Sequence, residues 1–228
     1  MTAVLMSGGT IMNDKSLEKS AALAGIGFVV LNVVATILQG VPPDPDDGNE
    51  GVLAWFADND TGLRVAAFLG VLSVISLAWW FGSLWRRMSR SEGGNSQLAV
   101  VSLVGFTGSG VLFTMWNMVV STVALQVEEL DADTAKLFYV LAGVTVAAAA
   151  GFLVVHLGAA NLLSLQSGLL PKWVTIIGFI SAALFLIATI GSMTDTDPFP
   201  LFGLFGFITW MIWILGTSIH MWRTVDAS

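Results

Sequence analysis

Long apolar runs separated by short polar segments dominate the chain. Six of them reach the roughly 20 mostly apolar residues that a membrane-crossing helix needs: about 21–41, 63–85, 98–125, 138–165, 173–192 and 201–221. None alternates strictly between apolar and polar positions, and in lipid only helices or closed barrels satisfy their own backbone. The pattern predicts an all-α polytopic membrane protein, with six transmembrane helices in one bundle. Residues 1–228 then form a single transmembrane domain, opened by a leader at 1–20. The third and fourth runs are long enough to tilt or to project past the membrane face. The connections are short, and none could fold as a separate domain. Loop 42–62 is the longest. Its stretch "GVLAWFADND" predicts a short helix lying on the membrane surface. Asp133, Pro171 and the pair Asp197–Pro198 mark expected helix starts.

Composition agrees with this pattern. Hydrophobic residues make up 55% of the chain and charged ones 11%, against about 25% charged in soluble domains, and the mean hydropathy is +0.81. The few charges orient the bundle. Lys15, Lys19, Arg86, Arg87, Arg90, Lys172 and Arg223 fall on one side, and only Arg64 and Lys136 on the other. Because Lys and Arg collect on the cytoplasmic side, the expected location is the cell membrane, with both termini cytoplasmic. The opposite loops hold twelve of the 16 acids: Asp44, Asp46, Asp47, Glu50, Asp58, Asp60, Glu128, Glu129, Asp131, Asp133, Asp195 and Asp197. The net charge of −7 thus belongs to the outer face and argues against nucleic-acid binding. With no cysteine, disulfides and thiolate chemistry are excluded. The lysines before the first apolar run resemble a signal peptide, but no small-x-small site follows, so this run reads as a retained span. "MTAVLMSGGTI" reads as an unstructured leader, or as a start placed upstream of Met12.

Three spans plus three spans would form an inverted pair. The halves align Leu23-Ala24-Gly25 with Leu141-Ala142-Gly143, Gly70 with Gly178, Ser73 with Ser181, and more weakly Gly110 with Gly206. Apolar helices also align by composition alone, so the repeat is an expectation that rests on short matches. The first span, "AALAGIGFVVLNVVATIL", and the acidic loop after it, "VPPDPDDGNE", resemble uncharacterised six-span membrane proteins of actinobacteria. That resemblance implies a layout and no activity, and it adds no catalytic residue.

Small and polar residues recur at helical spacing within the runs: Gly25, Asn32, Thr36 and Gln39 in the first; Thr107, Gly110, Thr114, Asn117 and Ser121 in the third. The fourth has Thr145, Ala149, His156, Ala159 and Ala160, and the sixth has Thr209, Trp213, Gly216, Thr217 and His220. The ordinary account is close helix packing with hydrogen bonds across the contacts. The sharper one is a ligand site at Asn32, Asn117, His156, Trp213 and His220, because polar groups at membrane depth are costly and mark functional positions. His156 needs a partner for its N–H, and Asn117 is the first candidate.

Several chemistries can be weighed. His156 and His220 could be axial ligands to a haem, although they sit at different depths. A retinal Schiff base would need an intramembrane lysine, and the runs contain none. They contain no Asp or Glu either, which speaks against a proton relay through a buried acid. "DPDDGNE" and "DNDTG" miss the ligand register of a calcium loop. Of the tryptophans, Trp85, Trp173 and Trp222 are placed as interfacial anchors, while Trp79, Trp80, Trp116, Trp210 and Trp213 lie deeper, where packing is their expected role.

The leading expectation is a non-enzymatic protein, without metal or cofactor, that binds or passes a neutral or weakly polar small molecule or lipid. The alternatives are an accessory subunit packed against a partner membrane protein or a second copy, and a bis-histidine haem protein. The topology is testable at once, because the chain has no cysteine of its own. A cysteine introduced into loop 42–62 is expected to react with an impermeant thiol reagent from outside the cell, and one beside Arg87 is not. Reversed labelling would overturn the orientation.

Overall fold

The computed structural model describes residues 14–43, 47–94, 96–191 and 199–225. The leader before Asp14, Asp44, Asp46, Asp195 and the Asp197–Pro198 cap lie outside the described residues. Among the described residues there are seven helices: α1 (Asp14–Gln39), α2 (Gly48–Asp58), α3 (Asp60–Ser91), α4 (Gln97–Leu125), α5 (Ala132–Ser167), α6 (Lys172–Gly191) and α7 (Phe199–Thr224). All but α2 are long and apolar enough to cross a membrane. The chain is a multi-pass membrane protein.

Each spanning helix packs on its neighbour in chain order, and α7 closes the ring against α1. Side chains fix the helix ends. Asp131, rather than the expected Asp133, caps α5 by accepting from the Thr134 N–H at 2.7 Å. The Thr134 backbone N–H, helped by its hydroxyl, holds the Asp131 carboxyl below the usual carboxylate range. Asp133 instead accepts from Asn49 at 2.6 Å and ties α2 to α5. At the start of α4, the Glu92 carboxylate takes the free N–H groups of Leu98 and Ala99 at 2.9 and 2.8 Å.

Two further expectations are corrected by the packing. The loop 42–62 does hold a helix, α2, but its apolar side docks on the bundle and is not left facing outward. Val52 and Phe56 are fully buried, with Trp55 and Phe56 packed edge-on against Tyr139 of α5. A docked aromatic face loses more water-accessible area than one lying in the interface. Trp79 is the second correction. It points out of the bundle, 53% exposed, and donates to Ser20 Oγ at 3.0 Å.

The two ends of the bundle differ. One carries the acids of α2 and of the α4–α5 turn. At the other, the start of α1 meets the ends of α3 and α7 around Glu18, a carboxylate that is buried although it stands among lysines in the sequence. Arg87 donates to Glu18 at 2.5 Å, and Arg86 at 3.2 Å. Arg87 also reaches Thr224 Oγ1 at 2.7 Å and the Met221 carbonyl at 3.3 Å, so a single guanidinium joins α1, α3 and α7. Breaking a buried ion pair costs about 3–5 kcal/mol. Arg87→Ala is expected near about 3 kcal/mol, the low end of that range, because Arg86 still reaches Glu18. Arg86→Ala, at a more exposed position, is expected to cost clearly less. Thermal unfolding in detergent checks this; equal midpoints for the two variants would remove Arg87 as the fastener.

Candidate functional site

A two-chambered cavity runs down the middle of the ring. Its outer chamber, about 170 Å³, lies toward the acidic end, where Asn32, Thr36 and Gln39 of α1 face Gly70 of α3 and Asn117 of α4. The inner chamber, about 60 Å³, is walled by aromatic and aliphatic side chains from all six spanning helices, among them Phe28, Leu77, Phe106, Leu153, Phe185 and Trp210. Phe113, Val146 and Phe207 line both and form the neck between them.

Glycine 70 decides the shape of the outer chamber. A Cβ there would run into the Asn117 amide, 2.6 Å from its Cγ and 2.9 Å from its Nδ2. Only glycine lets the amide lie flat against α3. Asn117 and Asn32 are both buried, and each donates its Nδ2 to the carbonyl four residues back in its own helix: Asn32 to Phe28 at 3.0 Å, Asn117 to Phe113 at 2.8 Å.

Below the inner chamber, Phe106 stacks on Phe81 with centroids 3.9 Å apart. Beneath that pair lies His156, fully buried. Phe81, Phe106 and Trp213 all meet it edge-on at 5.3–5.6 Å between centroids. Its Nδ1 is 2.8 Å from Ser102 Oγ and 3.3 Å from the Ser102 carbonyl, so either neutral tautomer finds a partner there. Its Nε2 has none among the described residues. Helices α4 and α5 approach closely at this level because Gly105 faces α5: a Cβ on it would stand 2.5 Å from the His156 nitrogen and 2.7 Å from the Phe152 carbonyl. Trp213 also donates to Asn161 Oδ1 at 3.0 Å.

The five sequence-derived candidates therefore divide into three places. Asn32 and Asn117 share the outer chamber. His156 and Trp213 form the aromatic cluster beneath the inner one, and His220 stands half-buried at the basic end. Neither histidine lines either chamber. The partner of His156 is Ser102, not Asn117, whose donor is held by its own helix. Ser102 and Asn161 are not among the residues the sequence pattern marks, and Gly70 enters there only through the repeat alignment. Ser102, Gly105 and Ser109 do step by three and four, and that inward face of α4 lies beside the stripe through Thr107, which is exposed. Among the described residues no group of three or more metal-ligating side chains occurs.

The profile of a family described as "Domain of unknown function (DUF4386)" matches residues 20–217, from the early turns of α1 to Thr217 of α7. No curated protein and no solved structure matches the chain.

The His156 cluster yields a stability prediction. Removing one partner of a buried hydrogen bond costs about 1–3 kcal/mol, whereas replacing both by apolar groups is nearly neutral. Ser102→Ala is thus expected to lower the unfolding midpoint, and adding His156→Leu to it should restore much of the loss. A double variant that is less stable than Ser102→Ala alone would show that the imidazole is held by more than this bond.

Proposed function

We propose, for a chain that belongs to the DUF4386 family of domains of unknown function, that its bundle interior binds or passes a neutral, weakly polar small molecule or lipid. The observation that carries this reading is the central cavity, walled by all six spanning helices and polar at one end only. Binding sites are concave and mostly apolar, with a few placed polar groups, and the two chambers have that make-up. No Asp, Glu, Lys or Arg is among the described residues that line them, which disfavours a charged ligand because an unpaired charge is costly at that depth.

Binding is favoured over free passage by what lies beneath the inner chamber. The Phe81–Phe106 stack, His156 and Trp213 fill the route toward the basic end. Passage would require these rings to move apart. With Lys and Arg gathered at the basic end, the orientation we infer has that end cytoplasmic and the polar chamber toward the outer face.

Native mass spectrometry with lipids retained tests the reading. The wild-type protein is expected to carry a bound neutral molecule. Gly70→Val pushes the Asn117 amide into the outer chamber and should lose it while the bundle stays folded. Identical spectra for the two proteins would place any adduct on the lipid-facing surface and overturn the assignment.

A further inference from the structure

The wall of the outer chamber continues outward into the seat of α2. Asn117, Val120 and Ala124 follow one another on α4 at steps of three and four, so they share a face. Asn117 borders the chamber. Nearer the acidic end, Val120 and Ala124 are buried in one cluster with Val52 and Phe56 of α2, Leu63 of α3 and Ala142 of α5. Trp116 packs against this cluster and also lines the chamber. The apolar side of α2 is therefore seated on the inward face of α4, above the cavity.

The two ends of α2 reach opposite sides of the ring, in which α1 and α5 stand three helices apart. At its start, Asn49 donates to Asp133 of α5 at 2.6 Å. At its end, Asn59 lies against the last turn of α1: a Cβ on Gly40 would stand 2.9 Å from Asn59 Oδ1. The residue before that glycine, Gln39, lines the chamber.

This seat holds α2 lightly. Of its 11 residues only Val52 and Phe56 are buried, and the Asn49–Asp133 bond is exposed. Docking also leaves Trp55 Nε1 buried with no hydrogen-bond partner among the described residues, a cost that disappears once the indole meets water. Asn59 alone separates α2 from α3. At the other end Gly48 has a φ of +70° and open space around it, which lets the chain turn there at little cost. Elements with few buried contacts open locally while the rest stays folded.

We propose that α2 is a lid, which swings off α4 and α5 as a unit and admits a neutral solute to the outer chamber from the acidic end. This rests on the binding reading of the same cavity and adds its way in.

Single cysteines test the lid, since the chain has none of its own. Ala35, buried on the chamber wall, becomes the reporter as Ala35→Cys. Ser218→Cys, fully buried on α7 toward the basic end, is the control. Iodoacetamide, small and neutral, alkylates the full-length protein in detergent, and mass spectrometry follows the rate. When opening is fast, that rate follows the population of the open form. Phe56→Ala is expected to speed alkylation of Ala35→Cys about ten-fold or more. Asn49→Ala, a surface change that opens no gap, should speed it about three-fold, and neither should affect Ser218→Cys. If Phe56→Ala fails to fold, the Asn49→Ala comparison decides alone. Unchanged rates at Ala35→Cys overturn the lid. Equal acceleration of both reporters also overturns it, because α2 is then a brace for the whole bundle. Neither result bears on binding, which native mass spectrometry reads separately.

Discussion

Polar side chains in this bundle are governed by the scarcity of hydrogen-bond partners in lipid. Most of them solve the problem within their own helix. Asn32, Thr36, Thr114, Asn117, Asn161, Ser164 and Thr209 all donate to the carbonyl four residues earlier. A hydroxyl satisfied in this way has less to offer another helix, and within the spans few side-chain bonds between helices occur among the described residues. Among them are those of the Trp213 and Trp79 indoles, Ser102 with His156, Ser181 to the Gly206 carbonyl and Thr189 to the Ala147 carbonyl.

The same habit explains how much of the site was legible in the sequence. The six spans, their order and the gathering of charge into two ends could be read directly, because length and hydropathy encode them. The inward face of each helix could not. Thr107 and Thr122 have the composition of interior residues, yet both are exposed, and Thr122 bonds the Met118 carbonyl at 2.8 Å. A hydroxyl satisfied in its own helix can face lipid at little cost, so a polar stripe blurs across neighbouring faces. Glycine was the better signal. Gly70 and Gly105 mark the contacts with Asn117 and His156, but which helix each one meets is a fact of three dimensions. Glu18 was hidden for another reason. Its partners lie about 70 positions along the chain, and among the lysines around it a carboxylate reads as surface charge.

The cavity and the ion-paired end are separated by a dense aromatic layer. Phe81, Phe106 and Trp213 surround His156, and Trp80 meets Trp213 edge-on at 5.7 Å. Such rings interlock and hold their neighbours in place. The layer gives the polar chamber a firm floor and insulates it from the arginines. Two buried polar atoms in it, His156 Nε2 and Trp80 Nε1, have no hydrogen-bond partner among the described residues, although most buried polar atoms find one.

The closing contact of the ring joins α1 to α7, the first and last spans in chain order. A chain emerging from the ribosome delivers its N-terminal segments first, so α1 and α3 wait in the membrane with one side uncovered until α7 arrives. During that interval Glu18 has its arginines but Arg87 lacks Thr224, and the inner chamber lacks Phe207 and Trp210. The inner chamber is closed only when α7 is in place. A bundle cut short before α7 would expose its unfinished seam to whatever recognises incomplete membrane proteins.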